Sequence, residues 1–324
     1  MDAAYIGNTS QIFDVRQYKF TQGKSAGVSA IDVWNGGNLF FTILPDRGMD
    51  IYTVRLRGHN MAFHTQSGVV APQYYSDISG KWLRSFGGGF LTTCGLQNIG
   101  SSDGIDPELS VHGRISNTPA ENVCVEILPN GSGVIVSGTL REGVIFGSRL
   151  VLHRKITCLK GNDAIEITDT VTNEAFTEDA VSMLYHFNIG YPMLSETAVP
   201  YIPANKTIPR NGHAATDLEN WSVVRSPSAG YEEMCYYHFL RENVIGMDNS
   251  QINTSLRIAF DSPILDRAVQ WRMFGAGDYV MGLEPASCTL EGRADAVANG
   301  SQKYIKARES IQNNLKITFG ECAK

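Results

Sequence analysis

Apolar and polar residues alternate with a period of two along much of this chain. Val123, Val125 and Ile127 alternate with Cys124, Glu126 and Leu128. Leu150, Leu152 and Ile156 alternate with His153, Lys155 and Thr157, and Ile165, Ile167 and Val171 with Glu166, Thr168 and Thr170. Residues 315–319, LKITF, repeat the pattern, and residues 28–34 carry a weaker form of it. Successive side chains of a strand point to opposite faces, so each run predicts a half-buried strand. Gly, Asn, Asp, Pro or Ser bounds each run, as in strands joined by turns. No long segment places apolar residues at helical spacing, which predicts few and short helices. Segments 66–89, 100–119 and 190–230 are rich in Pro and Gly and read as long loops. No repeat, linker or shift in composition divides the chain. The pattern predicts one all-β domain over residues 1–324, a large sandwich of antiparallel sheets.

Composition narrows the class. The 324 residues are 43% hydrophobic and 19% charged, which excludes a disordered or collagen-like chain. Lys and Arg number 27 against 33 Asp and Glu, a net charge of −6, which argues against a nucleic acid or an anionic membrane as partner. The opening MDAAYIGNTSQIFDV has neither the basic nor the apolar region of a secretory signal. No apolar run reaches bilayer-spanning length, so the expectation is a soluble cytoplasmic protein. The cysteines Cys94, Cys124, Cys158, Cys235, Cys288 and Cys322 are scattered singly, without CxxC or tight Cys/His spacing. They are expected to be reduced, mostly buried thiols, with no metal site.

Two strands carry candidate chemistry. In residues 180–192, AVSMLYHFNIGYP, one face bears Val181, Met183, Tyr185 and Phe187 and must be core. The other bears Ser182, Leu184, His186 and Asn188, which is either a ligand groove or an ordinary polar face. In residues 278–286, DYVMGLEPA, Glu284 is the single charge of an apolar strand and shares its face with Gly282. A carboxylate among apolar neighbours has the raised pKa of a general base, although a strand-end Glu facing water fits the pattern too. In AVQWRMF, residues 268–274, parity predicts Trp271 in the core and Gln270 turned toward a ligand.

The loops add further candidates, each with a structural alternative. LPDRGMDI, residues 44–51, offers Arg47, whose planar fork suits vicinal hydroxyls or carboxylates, or equally a turn salt bridge with Asp46 or Asp50. WLRSFGGGFLTTCGLQN, residues 82–98, offers Arg84 and Asn98 around a triple glycine that lacks the pattern of a phosphate loop. HGRISNTPAE, residues 112–121, offers His112.

These strings, with YHFNIGYP and YVMGLEP, run in order across residues 44–286 and resemble the galactose-mutarotase-like superfamily, the aldose 1-epimerases. Within it the chain is most similar to an uncharacterised bacterial branch of candidate aldose 1-epimerases. The resemblance implies a β-supersandwich with a sugar groove across one concave sheet. It implies His186 as general acid, Glu284 as general base and His112 as a sugar ligand. Arg84 is the better match to a substrate arginine, with Arg47 the alternative. Gln270, Asn98 and Asn188 complete the candidate substrate set. The implied reaction opens an aldose ring by acid and base, rotates C1–C2 and closes it on the other face, with no cofactor and no metal. The expected partner is a small sugar or sugar derivative, on a monomer or dimer. Arg47, Arg84, Arg114 and Lys81 leave a phosphate or carboxylate on that sugar open. A sugar-binding protein without catalysis, an epimerase acting at another carbon, and a hydrolase or lyase are the rival readings. The last is disfavoured by the lack of a second carboxylate.

Overall fold

The strands expected from alternation form, and antiparallel pairing assembles them into three sheets in the computed structural model, which describes residues 3–76, 81–102 and 109–322. A five-stranded sheet is built from Asp14–Lys19, Ser29–Trp34, Leu39–Leu44, Asp50–Leu56 and His59–Asn60, neighbours in chain order. An eight-stranded sheet runs, in spatial order, Ala198–Tyr201, Val244–Asn249, Thr254–Asp261, Ser310–Gly320, Ala164–Asn173, Arg149–Leu159, Gly133–Gly143 and Glu121–Ile127. The third sheet orders Ala204–Pro209, Met234–Leu240, Arg267–Phe274, Tyr279–Ala286, Asp179–Ile189 and Lys303–Ile305, with Leu91–Leu96 also pairing onto Asp179–Ile189. Among the described residues the α-helices are two short ones, Gly212–Ala215 and Arg293–Ala298. None is long and apolar enough to cross a membrane.

Burial follows the predicted parity. Val181, Met183, Tyr185 and Phe187 join Ile165, Ile167, Val171, Leu315, Ile317 and Phe319 in one buried cluster. The second and third sheets therefore face each other across an apolar layer. A charged knot crosses that layer. Arg154, with no exposure, donates Nε and Nη2 to the two oxygens of Asp169 (2.9 and 2.7 Å) and Nη1 to Asp50 (2.9 Å). Asp50 also accepts from the Thr93 hydroxyl and amide at 2.6 and 2.9 Å, and the Tyr185 hydroxyl donates to Asp169 at 2.7 Å. The knot ties all three sheets directly beneath the strand that carries His186.

Two expectations change. Segment 190–230 is not one long loop: it contributes strands Ala198–Tyr201 and Ala204–Pro209 and the helix Gly212–Ala215. Strand Glu121–Ile127 forms, but Val123 and Ile127 stay 38% and 49% exposed. It is the edge of its sheet and slips register between Glu121 and Cys124, so Val123 and Ile127 stay uncovered while Val125 packs partly against the core.

Candidate active site

Antiparallel pairing sets Phe187 opposite Leu283 and Leu184 opposite Ala286. That register brings His186 and Glu284 face to face on the side of the third sheet away from the apolar layer. Both are buried, and His186 Nε2 stands 3.2 Å from Glu284 Oε1. The contact lacks the alignment of a hydrogen bond, and Oε1 has no partner. On the next strand Trp271 pairs with Gly282, and beyond it Cys235 pairs with Trp271. The floor of the site therefore passes from His186 through Glu284 to Trp271 and Cys235.

Loops raise walls on this floor and enclose a cavity of about 440 Å³, within the range of small-molecule sites, roughly 300–1,000 Å³. Trp82 and Phe86 stack at 4.8 Å, and the His112 ring lies on Trp82 at 4.8 Å. Trp271 meets His186 edge-on at 5.4 Å. Arg210 lines the cavity with Nε 3.0 Å from Glu291 Oε1 and Nη2 3.2 Å from Ser101 Oγ. Glu233 lines it too and accepts the Trp271 indole N–H at 2.7 Å. The Gly100 amide donates to His112 Nδ1 at 3.3 Å. A nitrogen that accepts cannot carry the proton, so neutral His112 offers Nε2–H as a donor.

Burial sets the protonation of the pair. It pushes Glu284 well above the ordinary carboxylate range; Glu233 adds to the rise and Arg210 opposes it. Burial holds His186 well below the usual histidine value; His112 adds to the fall and the Asn188 side chain opposes it. His112 is lowered to about 4, by burial and then by Arg210. Burial thus favours the neutral form of both groups, a protonated carboxyl and an unprotonated imidazole.

The other sequence candidates lie elsewhere. Gln270 does not reach the cavity: it is fully buried, near His238 Nε2 at 3.3 Å, and donates to the Trp221 carbonyl at 3.0 Å. Trp271 takes the place expected of it, because pairing opposite Gly282 puts Trp271 on the Glu284 side. Arg47 is buried with Nε, Nη1 and Nη2 donating to the carbonyls of Ser116, Val70 and Ser85, so it binds three loop segments together rather than a ligand. Arg84 is exposed on the turn Trp82–Arg84 and is not among the cavity-lining residues. Asn98 ties its loop by donating to the Ser101 and Ser110 carbonyls, both at 2.9 Å. Asn188 is fully buried, donating to the Gly89 and His186 carbonyls at 3.0 Å. The triple glycine packs against other backbone, Gly87 against Gly68, Gly88 against Phe63 and Gly89 against Ile51 and Tyr52, and is not among the cavity-lining residues. Cys94 packs with Leu184, Ile99 and Leu290. Among the described residues no three His, Cys, Asp or Glu side chains gather as metal ligands would. Arg210, Glu233 and Ser101 were not anticipated. Arg210 follows strand Ala204–Pro209 inside a segment read as loop, and nothing local marks it.

A family described as a domain of unknown function, DUF4432, matches residues 25–319. No curated protein matches the chain. Several solved structures are similar. A candidate aldose 1-epimerase from Klebsiella pneumoniae subsp. pneumoniae superposes with a TM-score of 0.90 at 23% identity, over 96% of this chain and 86% of that one. A galactose mutarotase-like protein from Clostridium acetobutylicum gives 0.71 at 13% identity, over 96% of this chain and all (100%) of the other. Galactose 1-epimerase from Lactobacillus acidophilus gives 0.65 at 13% identity, over 96% and 100%. The fold is the galactose-mutarotase-like sandwich, as the sequence motifs implied.

Proposed function

The chain belongs to the DUF4432 family, and from that premise we propose that it is an aldose 1-epimerase acting on an uncharged sugar. The contact between His186 Nε2 and Glu284 Oε1 on the floor of a sugar-sized cavity carries the reading. Glu284, once its proton has passed to His186, takes the proton of the anomeric hydroxyl. His186 delivers its Nε2 proton to the ring oxygen, and the C1–O5 bond breaks to the free aldehyde. Rotation about C1–C2 and the reverse transfers close the ring as the other anomer. His112 Nε2–H and Arg210 donate to sugar oxygens, Glu233 accepts, and Trp82 and Trp271 give apolar sugar faces a surface.

The charges around the cavity support a neutral substrate. Among the described residues its ionisable acidic and basic lining side chains besides the histidines are Arg210, Glu233 and the buried Glu284, and the Arg210 charge is already matched by Glu291 at 3.0 Å. Among the described residues no unmatched cation lines it for a phosphate or carboxylate. Arg47, Arg84, Arg114 and Lys81 are not among the lining residues.

The test is anomer exchange followed by NMR saturation transfer with free aldoses, uronic acids and sugar phosphates. Wild-type protein accelerates exchange of neutral aldoses, while Glu284→Gln and His186→Asn lose roughly tenfold or more. Binding without acceleration would turn the reading to a sugar-binding protein or to chemistry at another carbon.

A further inference from the structure

Three large apolar side chains stand almost wholly outside the fold on two adjoining turns: Ile145 is 80% exposed, Phe146 96% and Phe176 80%. Ile145 and Phe146 form the tip of the hairpin between strands Gly133–Gly143 and Arg149–Leu159. Phe176 lies where the chain passes from the second sheet to the third, between Ala164–Asn173 and Asp179–Ile189. The bases of the two turns touch: the Glu174 amide donates to the Arg149 carbonyl at 2.9 Å, and the Ser148 hydroxyl donates to Asp179. None of the three apolar residues lines the cavity. Single exposed apolar residues are ordinary on a protein surface, but a cluster of them marks a contact.

Both turns are held in place. In the hairpin tip the Val144 amide donates to the Ser148 carbonyl at 2.9 Å and the Gly147 amide to the Val144 carbonyl at 3.0 Å. In the other turn the fully buried Asn173 side chain accepts from the Ala175 amide at 2.9 Å and donates to the Thr177 carbonyl at 2.8 Å. Phe146 has a φ of 63°, the left-handed region that glycine enters freely and a phenylalanine enters under strain. That strain gains no packing within the chain, which directs the ring to a contact outside it.

We propose that this end of the sandwich is the contact surface for a second copy of this chain, across a two-fold axis that packs Ile145, Phe146 and Phe176 of one protomer on those of its partner. An aromatic side chain buries about 150–250 Å², so the four rings of a symmetric pair supply roughly 600–1,000 Å². With Ile145 and the turn backbone added, the pair reaches the roughly 1,000 Å² of a specific interface, small enough to dissociate on dilution. Charge favours a copy of the same surface over other occupants. Arg149 and Arg308 are exposed beside the patch, and so are Glu178 and Glu309, so a two-fold arrangement sets acid against base. An anionic bilayer would meet carboxylates there instead. Turns already fixed by their own hydrogen bonds lose little freedom on docking.

The experiment is sedimentation velocity over a concentration series, on wild type, on Phe146→Gly and on the double variant Phe146→Asp with Phe176→Asp. Wild type is expected to form a dimer that dissociates on dilution, with hydrogen exchange slowing at residues 144–148 and 174–178 as it forms. Phe146→Gly relieves the backbone and therefore folds, and it should raise the dimer dissociation constant roughly tenfold or more. The double variant should be monomeric at every concentration with its circular dichroism spectrum retained. A wild type that stays monomeric throughout, or a dimer that persists unchanged in Phe146→Gly, overturns the proposal. So does a monomeric wild type that binds vesicles of phosphatidylcholine and phosphatidylserine through these side chains, which would assign the patch to a bilayer.

Discussion

The carboxylate of Glu284 folds back over Gly282, two residues earlier on its own strand, and fills the space of a missing side chain. A Cβ at residue 282 would stand 2.1 Å from Oε1 and 3.0 Å from the Cβ of Trp271. Both are closer than atoms approach without displacement. Gly282→Ala should therefore push the carboxyl off His186 and disturb Trp271 while the strand persists. The expected result is a loss of turnover of roughly tenfold or more with the circular dichroism spectrum retained. Turnover equal to wild type would mean the carboxyl position seen here is not the working one.

The pH profile of kcat/KM reports the same pair in the free enzyme. His186 is held well below 6.5 and Glu284 well above 4.5, so the pair keeps one proton between those two displaced values. Below the acid limit it gains a second proton and no base can form. Above the alkaline limit it loses its only proton and no acid can form. The profile should have its acid limb displaced well below 6.5 and its alkaline limb displaced well above 4.5, the latter lost in Glu284→Gln, whose residual rate is low. An acid limb centred at 6.5 would contradict a buried neutral imidazole.

How much of this was legible in the sequence differs from residue to residue. Alternation around His186 and Glu284 assigned the correct face to each, because one face of each strand is wholly apolar and had to be core. Trp271 and Gln270 were assigned the wrong way round. Their strand has a polar side, Gln270 and Arg272, that is buried under residues 217–223 instead of facing the cavity, with Arg272 paired to Asp217 at 3.1 Å. Relative parity between strands depends on pairing register, which one strand's sequence does not contain. Arg47 looked like a ligand for the same reason it is structural: a planar fork serves carbonyl oxygens of three loops as well as it serves a sugar. Arg210 was invisible because its partners, Glu291 and Ser101, are far away in the chain.

Stability should carry a histidine signature of its own. His238 is fully buried, next to Thr207 Oγ1 at 3.0 Å and Gln270 Oε1 at 3.3 Å, and burial lowers it to about 4. The unfolded chain takes up this proton near 6.5 and the folded chain near 4, so between them the unfolded state binds more protons. Its contribution is present above pH 6.5 and is lost as pH falls toward 4. Asp50, Glu142 and Glu284, all raised by burial, act in the opposite direction, so the readout is a difference between proteins. In urea titrations, wild type should lose roughly 3 kcal/mol relative to His238→Gln between pH 7 and pH 4. A difference independent of pH would show that His238 titrates normally in the fold.

The Arg154 knot separates buried from exposed charge. Arg154 and Asp169 are wholly inaccessible and share two hydrogen bonds, at 2.9 and 2.7 Å, and Asp169 also receives the Tyr185 hydroxyl. Asp169→Asn leaves the guanidinium in a dry interior with Asp50 as its remaining carboxylate, itself raised by burial. Removing one partner of such a pair costs about 3–5 kcal/mol, since the stranded charge has no water to turn to. Arg141 makes a comparable set of contacts, to Glu121 at 3.3 Å and Glu174 at 3.2 Å, but its side chain is 48% exposed. Water and salt already screen those ions, so Arg141→Ala should change stability by no more than about 1 kcal/mol. Urea titration of the two variants side by side checks the contrast. Because Tyr185 precedes His186 on the strand, Asp169→Asn should also lower anomer exchange in protein that remains folded. Arg141→Ala should leave exchange at the wild-type rate. Equal effects of the two substitutions on stability would mean that Arg154 reaches water by a route the folded structure does not contain.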